Sequence, residues 1–438
     1  MALPGFPNPS GVADYDDRRR RARLRATRSG VGWVRWRRTR LLVLRLSLVP
    51  LVALGAFAEY MGLDVLPEQA RLARTEPAVL PIAGPSDSQA GDTAVFDLVG
   101  LGVLDASDTA RALPSLRRLG SVWAVRYDNA GIDTKVISDL IVKVTDAAKV
   151  PNVVLTGHSM GGVIALEIAK HLHQDSRKRV RAVILDCTPV DLNAVRPESR
   201  DQGEEMLRWM GWVPGARESR LLRLIVETYA RHESFVGGRY VIRGDEFRAA
   251  VQNVLRDKIL NTNAASNGLI EAQFKAIVAG GAVDDLRALS KPAAGKPRPA
   301  VVFIRPHNPY DDPIVDVEYS HKALIDQVGG VNGTLLVVTT RTTGHANPIE
   351  RPQEYNTVIE QQVVPFVRQV QADEAAVFSV GGGGDQGGGG PSCGGGGGGE
   401  EGGGEGRRKR GGEGKRKGPR KKTPRSRCHY QLAGFTPG

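Results

Sequence analysis

The sequence predicts an α/β protein built on a doubly wound, mostly parallel sheet. Apolar segments of strand length alternate with amphipathic segments of helix length, and the apolar segments carry few charges on either face. Strands that are apolar on both faces, each followed by a helix, are typical of a parallel sheet covered by helices on both sides. Six strands are predicted, at residues 94–100, 121–127, 152–157, 181–186, 300–306 and 333–340.

Helices are predicted between these strands, and one long interval departs from the alternation. Residues 191–290 show helical spacing without a clear strand. An insertion here, after the fourth predicted strand, lies at the carboxyl ends of the strands, where open α/β sheets bind ligands. We therefore expect a helical cap over about 191–290. The other helices are predicted at 106–119, 133–149, 160–173, 318–328 and 350–370.

The N-terminal region predicts a membrane anchor. Residues 1–40 hold eleven Arg and three acidic residues, and the apolar stretch at 41–58 is interrupted by a single charge, Arg45. Eighteen residues of helix span about 27 Å, close to the hydrocarbon core of about 30 Å. The excess of Arg before the segment keeps the N-terminus in the cytoplasm. We expect an anchor over 41–63, with the folded domain outside the cytoplasm.

Two other interpretations of this region stay open. Ala56-Phe57-Ala58 has the small-x-small form of a signal-peptidase site, so the segment is either an anchor or a signal that is cleaved to release a secreted domain. A buried or surface helix of a soluble protein is the third possibility. In each case residues 64–90, with four prolines and mixed polarity, are expected to be a linker to a folded domain at 91–372.

The C-terminal region, residues 373–438, is predicted to be a disordered tail. Of the 53 glycines, 24 fall after residue 380, together with twelve Lys or Arg, and such a segment is too polar to bury a core. The net charge of +12 belongs to the two ends, because residues 41–380 carry 37 basic and 40 acidic residues. This balance, and the lack of aromatic residues interleaved with the basic run of the tail, argue against a nucleic-acid-binding protein.

The most informative motif is Gly157-His158-Ser159-Met160-Gly161, between the third predicted strand and a helix. A nucleophilic serine needs an exposed hydroxyl and nearby backbone N–H donors, and a sharp strand-to-helix turn flanked by small residues supplies both. The alternative is a glycine-rich turn with an incidental serine. The β-branched strand before the turn and the helix after it, which Gly162 allows close to the sheet, favour a nucleophile elbow.

On this motif and its context, residues 91–372 resemble the α/β-hydrolase superfamily. The resemblance implies a serine, an acid and a histidine in that order, with the acid after a late strand and the histidine after the last one. Asp312-Pro313, after the fifth predicted strand, resembles the acid loop of the superfamily, so Asp312 is the expected catalytic acid. Asp311 and Asp316 are its rivals, Asp186 is a weaker candidate, and an Asp-Pro pair also starts turns.

The same resemblance implies that the catalytic histidine lies on the loop after the last predicted strand. His345 lies there, next to Gly344, and is the expected general base. His307 and His321 flank the acid loop and are the rivals, since the remaining histidines are expected to be solvated or structural. The histidines lack metal-ligand spacing, and three cysteines in 438 residues favour neither a disulfide framework nor a zinc site. We expect no metal and no cofactor.

Two backbone N–H groups are expected to form the oxyanion hole, those of Met160, directly after the nucleophile, and Leu101, in the loop after the first predicted strand. Many members of the superfamily have His-Gly where this chain has Val99-Gly100. The histidine that normally supports the loop through side-chain hydrogen bonds is thus replaced, which bears on the geometry of the loop and not on its backbone donors.

These residues predict a serine hydrolase that cleaves small-molecule carboxylic esters, lipidic ones included, through an acyl-enzyme intermediate. The alternative is a non-catalytic member of the same fold that binds a ligand or partner in its pocket. A complete set of serine, acid and histidine, in the right order and on the right loops, favours the enzyme.

Overall fold

A computed structural model describes residues 28–237, 242–293, 295–330 and 333–381, together with Arg18 and Arg21. The basic segment predicted at 1–40 is therefore described only in part. The predicted tail beyond Gly381 lies outside the described residues.

A seven-stranded sheet forms the centre of the fold. Its strands are β1 (Ala78–Ala83), β2 (Thr93–Leu98), β3 (Ser121–Arg126), β4 (Asn152–His158), β5 (Arg179–Asp186), β6 (Ala300–Pro306) and β7 (Leu335–Thr340). They lie in the order β1-β3-β2-β4-β5-β6-β7. Only the β1–β3 pair is antiparallel. The mostly parallel sheet is thus confirmed, and each predicted strand matches an observed one within two residues at either end.

β1 corrects the predicted linker. Residues 64–90 are not a linker throughout, because 66–72 form a short helix and 78–83 form an edge strand against β3, so folded structure begins well before residue 91. Pro81 conceals this strand in the sequence, since proline lacks the N–H that a central strand needs. An edge strand tolerates it, and the pairing register is irregular between Pro81 and Ala83.

Helices cover the sheet and form the cap. They are α1 (Arg28–Tyr60), α2 (Leu66–Leu72), α3 (Ser107–Ala112), α4 (Thr134–Ala147), α5 (Met160–Asp175), α6 (Pro197–Trp212), α7 (Arg220–Ala230), α8 (His232–Phe235), α9 (Gly244–Val254), α10 (Asn267–Val278), α11 (Ala282–Leu289), α12 (Val317–Val328), α13 (Pro352–Val358) and α14 (Val364–Gly381). α14 extends beyond the predicted helix at 350–370, so the predicted start of the tail at residue 373 is wrong. Glu374 explains the extension, since it is buried and pairs with Arg298 at 2.5 Å.

The interval between β5 and β6 is a helical cap, as predicted. It contains α6 to α10 and no strand among its described residues. α11, at the end of the interval, packs against α5 beside the sheet. The cap proper therefore ends before Ala282, somewhat earlier than the predicted limit near 290.

The central strands carry the functional loops on a rigid base. Every residue of β2 and β4 is buried, as expected for central strands of a sheet covered on both faces. Each fully buried Val, Leu, Ile or Phe side chain contributes about 1.5–3 kcal/mol to stability. The loops at the carboxyl ends of these strands are held in place by this core.

Among the described residues, α1 and the turns that continue it form the one helical segment that is long and apolar enough to cross a membrane. The segment covers Trp36–Leu72, its most apolar 18-residue window has a mean hydropathy of 2.2, and 0% of that window is buried. A signal sequence near an N-terminus has the same properties. The apolar segment at 41–58 is thus a helix, and its insertion in a membrane stays a prediction.

Candidate active site

Ser159 stands at a sharp turn between β4 and α5. Its φ of 54° and ψ of −124° lie at positive φ, which residues other than glycine adopt rarely. The N–H of Ser159 donates to the carbonyl oxygen of Asp186 at 2.7 Å, and this bond ties the turn to the end of β5. A serine at positive φ between a strand and a helix is the geometry of a nucleophile elbow.

The flanking glycines make this turn possible. A Cβ atom added at Gly157 would lie 2.5 Å from the carbonyl oxygen of Gly161, and one added at Gly161 would lie 2.5 Å from the carbonyl oxygen of Leu98. Both distances are shorter than a Cβ atom and a backbone oxygen can approach each other. The glycines of the G-x-S-x-G motif are therefore required by the close approach of helix and sheet.

Ser159, His345 and Asp312 form one hydrogen-bonded chain. His345 Nε2 lies 2.7 Å from Ser159 Oγ, and His345 Nδ1 lies 2.8 Å from Asp312 Oδ2. The three residues come from the loops after β4, β7 and β6, which meet at the carboxyl edge of the sheet. The structure thus brings together the three side chains that the sequence singles out.

Asp312 is fully buried and oriented by the backbone. Its Oδ1 accepts hydrogen bonds from the N–H groups of Ile314 and Val315 at 2.9 and 2.8 Å, which leaves Oδ2 facing His345. Burial alone would raise the pKa of Asp312, but the imidazole of His345 and these two N–H groups outweigh it and hold the pKa below its ordinary value. The carboxylate is therefore ionised at neutral pH.

Arg196 supports the acid loop, a role that no local sequence pattern indicates. Its Nε donates to the carbonyl oxygen of Asp312 at 2.7 Å, and its Nη2 donates to that of Pro309 at 2.7 Å. Arg196 lies in the loop after β5, so it connects the entrance of the cap to the loop that carries the acid. A guanidinium that grips two carbonyl groups fixes the backbone position of Asp312.

The rival acids have other partners. Asp311 accepts a hydrogen bond from Asn308 Nδ2 at 2.8 Å on the exposed rim of the loop. Asp316 caps the N-terminus of α12, where its Oδ1 accepts from the N–H groups of Glu318 and Tyr319. Both carboxylates are thus used locally, and Asp312 alone of the three contacts His345.

The rival histidines also lie apart from this chain. His307 is exposed, and its backbone N–H donates to the carbonyl oxygen of Thr340 at 2.7 Å. His321 lies on α12 with its Nδ1 3.8 Å from Glu318. His345 is therefore the histidine that the fold brings to Ser159.

The loop after β2 lies against Ser159. A Cβ atom added at Gly100 would be 3.2 Å from Ser159 Cβ, so the backbone of this loop borders the nucleophile. Leu101, the expected second oxyanion donor, follows directly, and Met160, the expected first donor, is the first residue of α5. Tyr127, directly after β3, supports the loop, because its hydroxyl donates to the carbonyl oxygen of Val99 at 2.9 Å.

Gln273 of cap helix α10 holds the same loop from the side of the cap. Its Oε1 accepts from the N–H of Gly102 at 2.8 Å, and its Nε2 lies 3.3 and 3.1 Å from the carbonyl oxygens of Gly100 and Val103. The side chain of Gln273 is fully buried, so it is shielded from water where it meets the partly buried loop. Gln273 thus holds this loop through side-chain hydrogen bonds, which the apolar side chain of Val99 cannot make.

A buried charged network lies beneath the elbow. His158 Nδ1 is 2.8 Å from Asp186, and its Nε2 is 3.0 Å from Asp97. Burial would lower the pKa of His158, but the two carboxylates raise it to about 10, so the ring is an imidazolium at neutral pH. Thr109 and Tyr355 donate to the remaining oxygens of the two acids. Asp186 is therefore structural rather than a member of the chain with Ser159.

Cys187 lies beside Asp312 and is buried. Its Sγ, a carboxylate oxygen of Asp312 and a ring nitrogen of His345 lie within 4.8 Å of one another. Burial, with the carboxylates of Asp186 and Asp312 nearby, raises the pKa of the thiol well above its ordinary value. A protonated thiol is a poor nucleophile and a poor metal ligand, so the chemistry of this group does not favour a metal.

Comparison with solved structures finds similar folds among hydrolases. A carboxylesterase of the thaumarchaeon Nitrososphaera gargenis is 15% identical, with 68% of this chain and 97% of that chain covered and a TM-score of 0.42. The monoacylglycerol lipase of Paleococcus ferrophilus is 14% identical, with 67% and 99% covered and a TM-score of 0.41. The proline iminopeptidase of Mycobacterium smegmatis is 14% identical, with 69% and 97% covered and a TM-score of 0.40. No curated protein matches the chain.

Comparison with protein families gives a match over most of the folded domain. Residues 86–358 match the family described as the alpha/beta hydrolase family. The match includes the elbow at Ser159 and the loops that carry Asp312 and His345. The chain is therefore a member of the alpha/beta hydrolase family.

Proposed function

We propose that this hydrolase cleaves carboxylic esters, with Ser159 as the nucleophile, His345 as the general base and Asp312 as the group that orients the imidazole. The observation that carries the proposal is the hydrogen-bonded chain at 2.7 and 2.8 Å, anchored on an elbow at positive φ. A nucleophile bonded to a base, which is bonded to a third group, is the arrangement of covalent acyl transfer.

The first half of the reaction forms an acyl-enzyme. Ser159 Oγ attacks the ester carbonyl carbon while its proton moves to His345 Nε2. The ionised carboxylate of Asp312 accepts the Nδ1–H of His345, which fixes the tautomer and stabilises the imidazolium. The backbone N–H groups of Met160 and Leu101 stabilise the oxyanion. The tetrahedral intermediate collapses as His345 returns the proton to the leaving alcohol.

The second half releases the acid. Water attacks the acyl carbonyl carbon and gives its proton to His345 Nε2, and the same N–H groups stabilise the second oxyanion. Collapse of this intermediate returns the proton to Ser159 Oγ and frees the carboxylic acid. Each step uses only groups of this chain, an ester and water, so the proposal requires neither a metal nor a cofactor.

Turnover of a short activated ester tests this proposal. Ser159→Ala should lower kcat by roughly four to six orders of magnitude while the fold is kept. Activity of the variant within tenfold of the parent would contradict the assignment of the nucleophile. The alternative, a non-catalytic member of the fold that binds a ligand, predicts a parent protein without turnover above the solvent reaction.

We further propose that α1 anchors the enzyme in a membrane, with the catalytic domain on the side opposite the cytoplasm. The exposure of its apolar window and the Arg-rich segment before it support this location. The protein should pellet with membranes and resist carbonate extraction. A shortened protein that begins at Glu59 in the medium would instead support cleavage after Ala58, and full-length soluble protein would contradict both.

A further inference from the structure

The cap helix α7 has its polar and apolar faces reversed. Arg223 and Thr228 are buried at 8% and 7% exposure, whereas Ile225 and Tyr229 are 55% and 71% exposed. Leu221, Ile225 and Tyr229 are spaced four residues apart and therefore share one face. A surface helix of a water-soluble domain normally turns its apolar side to the core. The outward face of α7 therefore suits an apolar environment.

Other exposed apolar side chains extend this face. Trp212, at the end of α6, is 84% exposed, and Leu63, in the turn after α1, is 80% exposed. Leu66 at the start of α2 is also exposed. We call these residues the apolar cap face: Leu63, Leu66, Trp212, Leu221, Ile225 and Tyr229. Exposed clusters of large apolar residues mark sites of protein or membrane contact.

Specific contacts join the apolar cap face to the end of α1. The carboxylate of Asp64 accepts hydrogen bonds from the Ser219 hydroxyl and from the N–H groups of Arg220 and Leu221, so Asp64 caps the N-terminus of α7. These bonds fix the start of α7 against the turn that follows α1.

Two further contacts strengthen the junction. The Tyr60 hydroxyl donates to the carbonyl oxygen of Pro214 at 3.0 Å, two residues from Trp212. Glu68 of α2 pairs with Arg220 at 3.0 Å. The position of the cap is therefore tied to the position of the apolar helix.

From this junction we propose that the apolar cap face lies in the interface of the bilayer that α1 crosses. The proposal rests on the membrane anchor proposed above. Leu63 follows the apolar segment by five residues, about 7.5 Å of helix at 1.5 Å per residue. Interfacial apolar faces penetrate roughly 5–10 Å into the boundary between headgroups and acyl chains.

The composition of the apolar cap face fits a bilayer. Trp212 and Tyr229 are the residue types enriched where a protein meets the membrane–water interface. A second copy of this chain is the other partner that would cover an apolar face, but the junction favours lipid, because it holds the face at the end of the helix that enters the bilayer. The face thus orients the cap, and the active site beneath it, toward the membrane surface.

An environment-sensitive fluorophore on Ile225→Cys tests this placement in the full chain. To restrict labelling to the introduced cysteine, the test protein also carries Cys393→Ser and Cys428→Ser. Cys187 is retained because it is buried. Ala147→Cys at the end of α4 is the matched control. It is exposed and precedes β4, so it lies at the amino edge of the sheet, away from the cap. Both proteins are reconstituted in phosphatidylcholine vesicles with and without headgroup-nitroxide lipid, and both should hydrolyse a short soluble ester like the parent.

We expect the Ile225 probe to shift to shorter emission wavelength in vesicles and to be quenched by the nitroxide lipid several times more strongly than the Ala147 probe. Equal, water-like signals from carbonate-resistant protein would overturn the placement of the cap and leave the anchor standing. A shielded Ile225 probe without nitroxide quenching would overturn it in favour of a second copy of the chain. Extraction by carbonate would overturn the anchor together with this inference.

Discussion

Gln273 Oε1 accepts a hydrogen bond from the N–H of Gly102 at 2.8 Å, across 171 residues of sequence. This bond connects the cap helix α10 to the loop expected to supply an oxyanion donor. The side-chain amide nitrogen of Gln273 also lies within hydrogen-bond distance of Gly100 and Val103 carbonyl oxygens. The cap therefore does more than cover the site, because it holds the backbone beside Ser159.

Gln273→Leu should lower kcat for a short activated ester with little change in KM. Loss of one oxyanion donor costs about a hundredfold to a thousandfold, and we expect a misplaced donor to cost about tenfold to a hundredfold. The variant also removes the side-chain partner of three partly buried backbone groups, so we expect it to unfold at a lower temperature than the parent. Steady-state kinetics and thermal unfolding measure the two effects.

Phe274→Leu is the control for this variant. It disturbs packing of the same helix, where Phe274 is buried, but leaves the hydrogen bonds to the loop. We expect its kcat to stay near that of the parent. Equal losses of kcat in the two folded variants would show that Gln273 acts through cap packing alone.

Asp312→Asn should reduce activity far more than the same change at Asp311 or Asp316. Only the carboxylate bonded to His345 Nδ1 fixes the imidazole tautomer, an effect of about ten-thousandfold in a related triad. Asn at 316 preserves a good helix cap, so this control should also fold normally. An inactive Asp316→Asn beside an active Asp312→Asn would move the acid to the start of α12.

Arg196→Gln should lower kcat by displacing the acid loop. The guanidinium holds the carbonyl groups of Asp312 and Pro309, and a shift of about 1 Å in a catalytic group costs up to about a hundredfold. Arg200→Gln, one turn further along, is the matched control and should be active. Parental kinetics for folded Arg196→Gln would contradict a positioning role.

The network around His158 predicts how stability depends on pH. The folded pKa of about 10 lies above the ordinary value of 6.5, so the folded state binds the proton more tightly. This stabilisation is complete below pH 6.5 and is lost as the pH rises through about 10, at up to about 1.4 kcal/mol per pH unit. Chemical denaturation between pH 6.5 and 10 measures the slope.

His158→Gln should be less stable than the parent and should lack this component of the slope. His171→Gln, which changes a histidine on α5 outside the network, should keep it. The same slope in the parent and in His158→Gln would mean that His158 is neutral in the folded protein.

The local features of the fold were predictable because they depend on residues close in sequence. The elbow is specified by Ser159 and by the glycines at 157 and 161, whose missing side chains let the helix approach the sheet closely. The apolar strand patterns specify a parallel sheet. The roles of Asp312-Pro313 and of the Gly344-His345 loop follow from the resemblance to a family. Their hydrogen-bonded geometry is a property of the structure, since 186 residues separate Ser159 from His345.

The remaining features depend on contacts that sequence spacing does not encode. The edge strand that contains Pro81 is hard to recognise in the sequence. Whether a strand accepts proline depends on whether a neighbouring strand needs its N–H, and local spacing does not show which strands are neighbours. Gln273 lies on the same helix face as Ile270, Phe274 and Ile277, an apolar pattern that indicates packing of the cap against the core. A glutamine on this apolar face is the one sequence feature that points to a buried hydrogen-bonding role. The partners of Arg196 and Asp64 lie 116 and 155 residues away, so neither role was predictable from local pattern.

Covalent labelling by a fluorophosphonate tests the central claim most directly, because the probe reacts with a serine activated by a histidine and stays on it. We expect mass spectrometry to find one phosphonylated peptide, with the label on Ser159. The label should be absent from Ser159→Ala and formed much more slowly in His345→Ala. A folded parent that is not labelled, or a label on another residue that persists in Ser159→Ala, would contradict the assignment of Ser159 as the nucleophile.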